Sequence, residues 1–270
     1  SETPSEWVQA LLKPKKKSPV KSCYHIVQPL RPAPPEPTSA CSMIDVLHRY
    51  AELEPERVHV HLLEDHGGQD ISYGQLLSTA SQVAAGLTNA GLKRDETVAI
   101  MLPTCSDFFY AFFGVMLAGG IAVPIYPPAR PDKIEEYVTR QVAILRNARV
   151  RFLISFEQAR TVSKIMNLGI PSLANVTTVS AMIKSGAGLP TPVVNPSETA
   201  FIQYTSGSTG DPKGVILTHS NILANVRGIG WSVQVQPTDI VVTWLPLYHD
   251  MGLIGSWLFS LYYGLPITVL

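Results

Sequence analysis

Apolar positions along this chain fall into short continuous runs separated by stretches with helical spacing. Thr97 to Leu102 is apolar on both faces, Asp107 to Leu117 follows as a helix, and Ile121 to Tyr126 is a second apolar run. Ile134 to Asn147 then reads as a helix and Arg151 to Ser155 as another strand. Strands apolar on both faces, alternating with helices, predict a parallel sheet covered on both sides. Upstream, Ser42 is placed to cap a helix whose Ile44, Leu47 and Ala51 share a face and which ends near Pro55. Val58 to Leu63 reads as a strand and Gly67-Gly68 as a turn. Ser72 caps a long helix carrying Leu76, Leu77, Ala80, Val83, Ala84 and Leu87 on one side, and Gly91 stops it.

The pattern restarts after a Pro- and Gly-containing stretch from Gly186 to Pro196. Strands are predicted at Ala200 to Tyr204, Ile240 to Thr243 and Ile267 to Leu270, with helices at Asn221 to Ser232 and Leu253 to Tyr263. His219, Ser220 and Asn221 stand where the first of these helices needs capping. The fold class expected is α/β, two lobes with largely parallel sheets. The expected division is a Pro/Lys-rich flexible segment over 1–41, a first lobe over 42–190 and a second over 191–270, truncated where the last strand meets Leu270. Between Lys13 and Ala40 the prolines and the lysine run 15–17 leave too little apolar surface to offset the entropy of ordering, so a semi-extended linker is expected.

Composition narrows the function. The chain has 270 residues, 46% of them hydrophobic, which suffices for a buried core. Its 21 Lys+Arg balance 21 Asp+Glu, so it carries no global charge suited to nucleic acid, and no nucleic-acid partner is expected. Cys23, Cys41 and Cys105 fit neither a disulfide framework nor a zinc site, and a cytoplasmic location is expected. His59 and His61 alternate on one face of a strand without a third ligand, which reads as a solvated face. Two uncharged stretches, Phe108 to Ala129 and Met251 to Leu270, are long enough to cross a bilayer, but each is interrupted by Gly and Pro, so no stable membrane insertion is expected.

The chemistry concentrates in Tyr204-Thr205-Ser206-Gly207-Ser208-Thr209-Gly210-Asp211-Pro212-Lys213-Gly214, directly after a strand. Glycines let backbone N–H groups approach an anion, the hydroxyls of Thr205, Ser206, Ser208 and Thr209 can donate to phosphate oxygens, and Lys213 adds a positive charge. A Walker loop is excluded because Pro212 precedes Lys213 and Gly214 follows it. The glycine spacing also excludes a dinucleotide fingerprint. A second cluster, Trp244-Leu245-Pro246-Leu247-Tyr248-His249-Asp250-Met251-Gly252, joins a strand to a helix, and a third, Pro124-Ile125-Tyr126-Pro127-Pro128-Ala129-Arg130-Pro131, does the same earlier in the chain.

The run Thr205 to Gly214 resembles the phosphate loop of the adenylate-forming superfamily, which includes acyl-CoA synthetases, luciferases and peptide-synthetase adenylation domains. The resemblance covers about Ser42 to Leu270, and the proline segment with the His-Asp-Met-Gly form of the second cluster is similar to the fatty acyl-AMP ligase branch. It implies that Thr205, Ser206, Gly207, Ser208, Thr209, Gly210 and Lys213 hold ATP, with Thr205 a candidate for Mg²⁺. It further implies that His249 and Lys213 act on the reacting groups, His249 beside the acyl and α-phosphate groups. Asp250 fits either a site role or a helix cap. The implied reaction converts a fatty or similar carboxylic acid to acyl-AMP, for transfer to a phosphopantetheine thiol on acyl carrier protein or CoA. An acyl-CoA synthetase, a peptide-synthetase adenylation domain and an inactive binding module of the same fold stay open as alternatives. The family's adenine-, ribose- and lysine-bearing segments have no counterpart in these 270 residues, so the chain alone is expected to show little or no adenylation.

Overall fold

The fold is that of a computed structural model, which describes residues 31–64, 67–128, 134–159, 169–185, 194–205 and 212–270. The first half runs α1 Met43–Leu53, β1 Val58–Glu64, β2 Gly67–Ser72, α2 Tyr73–Asn89, β3 Thr97–Ile100, α3 Ser106–Leu117, β4 Ile121–Pro124 and α4 Ile134–Asn147. The second runs β5 Phe152–Ile154, β6 Asn175–Thr177, α5 Val179–Ser185, β7 Thr199–Thr205, β8 Lys213–Thr218, α6 His219–Val233, β9 Val241–Thr243, a π-helix Met251–Leu258, α7 Phe259–Tyr262 and β10 Ile267–Val269.

The helix boundaries have local causes. Ser42 Oγ accepts from Asp45 N at 3.1 Å while the Asp45 carboxylate accepts from Ser42 N at 2.9 Å, so two of the N–H groups that α1 cannot pair internally are satisfied. Ser72 caps α2 through Gln75 N at 3.2 Å, and beyond its end Gly91 takes φ +96°, a conformation side chains resist. The cap of α6 is Thr218 rather than the expected His219 to Asn221 group. Thr218 Oγ1 accepts from Asn221 N at 3.2 Å and Asn221 Oδ1 accepts from Thr218 N at 3.1 Å, which makes His219 the first helical residue, buried and with its basicity lowered by that burial.

Two sheets form, in strand orders β2-β1-β10-β9 and β6-β5-β3-β4-β7-β8. Both are largely parallel; β2 is antiparallel to β1, and β8 is antiparallel to β7. The sheets do not follow the order expected for two successive lobes. β1 pairs with β10 (Val60 opposite Ile267) and β7 pairs with β4 (Ala122 opposite Phe201), so each sheet draws strands from both sides of the 190/191 division, which itself lies outside the described residues. Hydrophobic patterning shows that a strand is buried but not which distant strand lies beside it.

The core centres on Trp257, fully buried, whose indole meets Phe108, Phe109, Phe112 and Phe113 of α3 at 4.7 to 6.5 Å, mostly edge-on. Phe112 also meets Phe201 of β7 at 5.5 Å, so α3 ties the second sheet to the π-helix. The helices and strands within the apolar stretches 108–128 and 251–270 are thus core elements, and no helix among the described residues is long and apolar enough to cross a membrane.

Three further expectations are corrected. Residues 31–41 are not a loose linker: Ala33 N donates to Pro237 O at 2.7 Å, Arg57 donates to the carbonyls of Arg31 and Pro32, and Arg227 donates to those of Thr38 and Ala40. The two arginines hold four backbone carbonyls of this segment, one of them a proline's, since proline lacks a donor but keeps its carbonyl. Gly67-Gly68 begins β2 rather than forming a turn. His59 is fully buried rather than solvated, its Nδ1 3.1 Å from Leu265 O and its ring stacked 4.9 Å from Tyr73.

Candidate active site

In a parallel sheet the C-terminal strand ends open onto one crevice, where ligands of such folds lodge. β4 and β7 are parallel neighbours, so Pro124, Ile125 and Tyr126 leave β4 beside Gln203, Tyr204 and Thr205 at the end of β7. A cavity of about 300 Å³ lies at these ends, lined among others by Ile125, Tyr126, Gln141, Gln203, Thr205 and His249. Two of the three sequence clusters therefore border one space with the start of the third.

β7 and β8 form a hairpin in which Thr205 stands directly opposite Lys213. Paired residues of an antiparallel ladder project from the same face, so a hydroxyl and an ammonium flank the base of the connection, and both residues are exposed. Lys213 begins a strand that the sequence pattern did not reveal, since Val215, Ile216 and Leu217 follow the glycine-rich run without a turn signal. Ser206, Gly207, Ser208, Thr209 and Gly210 lie outside the described residues, as do Ala129, Arg130 and Pro131.

His249 reaches the same cavity from the segment after β9, which several side chains and backbone groups hold in place. Thr243 Oγ1 accepts from Leu245 N at 3.1 Å, Thr104 Oγ1 from Leu247 N at 3.3 Å, and Pro246 O from His249 N at 3.1 Å. Gln203 Nε2 donates to Tyr248 O at 3.1 Å, which fastens the His249 segment to the strand that delivers Thr205. The imidazole is open, with 72% of its side chain exposed, and its Nδ1 lies 2.8 Å from Asp250 Oδ1. A carboxylate only accepts, so Nδ1 carries the hydrogen and Nε2 is the nitrogen left for a ligand. Asp250 Oδ1 also accepts from Met251 N at 2.8 Å, so one carboxylate both caps the π-helix and orients His249.

Gly252, buried at the start of that helix, allows the segment to fold back on itself: a Cβ there would lie 2.2 Å from Pro246 O. The backbone widens into a π-helix where a regular α-helix was expected, and Ser256 Oγ donates to Met251 O five residues back at 3.1 Å. Burial raises the phenol pKa of Tyr204 and of Tyr248, which keeps both neutral beside the cavity.

Two site residues escaped sequence reasoning. Gln141 of α4 is fully buried with both amide atoms unpaired, and Gln203 is 7% exposed with Oε1 unpaired. A signal existed for each: Gln141 falls on the Tyr137, Ile144 and Leu145 stripe of its helix, and Gln203 shares a strand face with Phe201 and Thr205.

Neutral hydroxyl and amide groups, the Arg140 guanidinium and an oriented imidazole line this partly apolar cavity, with Lys213 opposite Thr205 beside it, which suits the handling of an anionic group attached to an apolar one. Among the described residues no cluster of His, Cys, Asp and Glu is arranged to hold a metal ion. A cation at Thr205 would thus take most of its oxygens from a ligand and water, as Mg²⁺ does beside phosphates.

Comparison with known proteins agrees with this arrangement. The medium-chain-fatty-acid acyl-carrier-protein ligase TtuA of Teredinibacter turnerae is 30% identical over 82% of this chain and 41% of its own length. The long-chain-fatty-acid AMP ligase FadD32 of Mycolicibacterium smegmatis is 32% identical over 80% of this chain and 35% of its own. A solved fatty acid AMP ligase from Legionella pneumophila superposes with a TM-score of 0.75 at 32% identity, over 86% of this chain and 40% of that one. The chain thus spans less than half the length of these relatives. A family model described as AMP-binding enzyme matches residues 47–270, and the chain belongs to that family.

Proposed function

We propose that this chain supplies the phosphate- and acyl-facing part of an enzyme that activates a fatty or similar carboxylic acid with ATP. A carboxylate oxygen of the acid bonds to the α-phosphorus, the bond from that phosphorus to the bridging oxygen breaks, and acyl-AMP and pyrophosphate result; no proton needs to move. The barrier is the approach of two anions, so the protein's task is to distribute negative charge. The observation that carries this reading is the convergence on one cavity of Thr205, opposite Lys213 across the β7–β8 hairpin, with His249 tethered through Gln203.

Lys213, the hydroxyls of Thr205, Ser206, Ser208 and Thr209, and N–H groups freed by Gly207 and Gly210 are assigned to the polyphosphate. Mg²⁺, with the Thr205 hydroxyl as its candidate protein ligand, would neutralise part of the phosphate charge when bound. His249 Nε2 faces the reacting carboxylate and α-phosphate, Asp250 holding the ring in the tautomer that exposes it. The names of the relatives support a fatty acid as substrate and an acyl carrier protein as acceptor, CoA being the alternative thiol. The test is acid-dependent ATP/pyrophosphate exchange by the full-length gene product with a panel of acids, followed by transfer to carrier protein or CoA. Exchange that requires a fatty acid supports the proposal, and ATP turnover indifferent to every acid overturns it.

A further inference from the structure

The cavity has a cation that the assignments above leave without a task. Arg140 lines it from α4, and among the described residues no carboxylate pairs with its guanidinium. Glu136 stands one helical turn before it, at a spacing that favours an ion pair, and is exposed instead. Asp250, whose carboxylate borders the same cavity, is engaged by His249 Nδ1 and by Met251 N. Arginine stays charged at every working pH and presents its donors as a planar fork that matches a carboxylate or a phosphate. An unpaired guanidinium on a cavity wall therefore marks a place for an anion.

Position decides which anion. Tyr204 Oη donates to Asn147 Oδ1, so α4 lies against the face of β7 opposite to that of Gln203 and Thr205. Lys213, paired with Thr205, belongs to the Thr205 face, and the two cations stand on different walls. Because α4 follows β4, it begins at the open strand ends. On its stripe of Arg140, Ile144 and Asn147, Arg140 is thus nearest the mouth, about 10 Å beyond Asn147 along the helix. Ile125, Tyr126 and Ile144 line the cavity with it, an apolar surface for which a polyphosphate has no use. An anionic head on an apolar tail fits this wall, whereas the polyphosphate is assigned to Lys213 and the hydroxyls. We infer that Arg140 receives the carboxylate of the acid in a two-point contact, with the alkyl chain running along Ile125 and Ile144. Two anions that repel then each have a cation of their own, and His249 borders the space they share. This rests on the proposed activation of an acid by ATP and names the residue that binds the acid.

The experiment is ATP/pyrophosphate exchange by the full-length gene product, with acid and ATP titrated separately for wild type, Arg140→Gln and Arg140→Lys. Arg140→Gln is expected to lower kcat/KM for the acid roughly 10- to 100-fold, mainly through KM, and to leave KM for ATP within about twofold of wild type. Arg140→Lys, which keeps the charge but not the planar fork, is expected to fall between the two. A residue that only supports the fold would shift both substrates together, so a parallel rise in KM for ATP overturns the inference, as do wild-type acid kinetics in Arg140→Gln. Should Arg140→Gln fail to fold, Arg140→Lys decides alone: a loss confined to the acid supports the inference, and wild-type kinetics overturn it. No exchange by wild type with any acid overturns the activity beneath it, which separates the two failures.

Discussion

Replacing Gly252 by alanine tests whether the position of His249 matters. The added Cβ would stand 2.2 Å from Pro246 O, 2.8 Å from Pro246 C and 2.9 Å from Leu245 O, all backbone atoms with no rotamer to yield. Ordinary carbon–oxygen contact begins beyond 3 Å, so the segment must move by roughly 1 Å. Pro246 O accepts from His249 N, and His249 O accepts from Leu253 N, so the displacement is carried straight into the residue assigned to the reacting groups. Overpacking of this size costs about 1–3 kcal/mol of stability. A shift of about 1 Å in a positioning segment lowers turnover by roughly 100-fold. Exchange is measured well below the unfolding transition of the variant, so that loss of folded protein does not mimic loss of activity. Exchange within about twofold of wild type would refute the claim that this segment's placement governs the reaction.

Lys213→Ala should weaken use of ATP by about 1.5–3 kcal/mol, the usual worth of a hydrogen bond to a charged group, or roughly 10- to 150-fold in kcat/KM; unchanged ATP kinetics would remove Lys213 from the cradle. Burial lowers the pKa of His59 from its ordinary 6.5 to about 3. Above pH 6.5 both folded and unfolded states are neutral there, whereas below it the unfolded chain takes up a proton that the folded one refuses. Stability should therefore fall with pH at about 1.4 kcal/mol per unit between those values, and His59→Phe should remove that part of the slope in denaturant titrations; parallel slopes would refute it. Trp257→Ala, which empties the space between four phenylalanines, should cost about 3–5 kcal/mol in the same assay, and a cost under about 1 kcal/mol would show that the core does not centre on it.

The α/β class and several helix boundaries were legible because their causes are local. Ser42, Ser72 and Gly91 act within a few residues, and α4 spans the residues its periodicity predicted. Pairing was not legible: β1 beside β10 depends on shape and burial across some two hundred residues of intervening chain. β8 was hidden because its apolar run directly follows a segment whose glycines and hydroxyls read as one loop. The clusters around Thr205 and His249 stood out by composition, and the structure adds the cavity they share and the Gln203–Tyr248 bond that joins their segments. Gln141 and Gln203 did not stand out, since a polar residue on an apolar stripe looks the same in sequence whether it faces a cavity or a filled core. His59 is the same case with the opposite error, a histidine that alternation alone placed in solvent.

The convergence of the hairpin and the His249 segment is tested most directly by a crystal structure of the full-length gene product with a stable acyl-adenylate mimic. The phosphate-equivalent group is expected between the Thr205–Lys213 hairpin and the His249 ring. A mimic bound away from the ends of β4 and β7, or not bound at all, would contradict it.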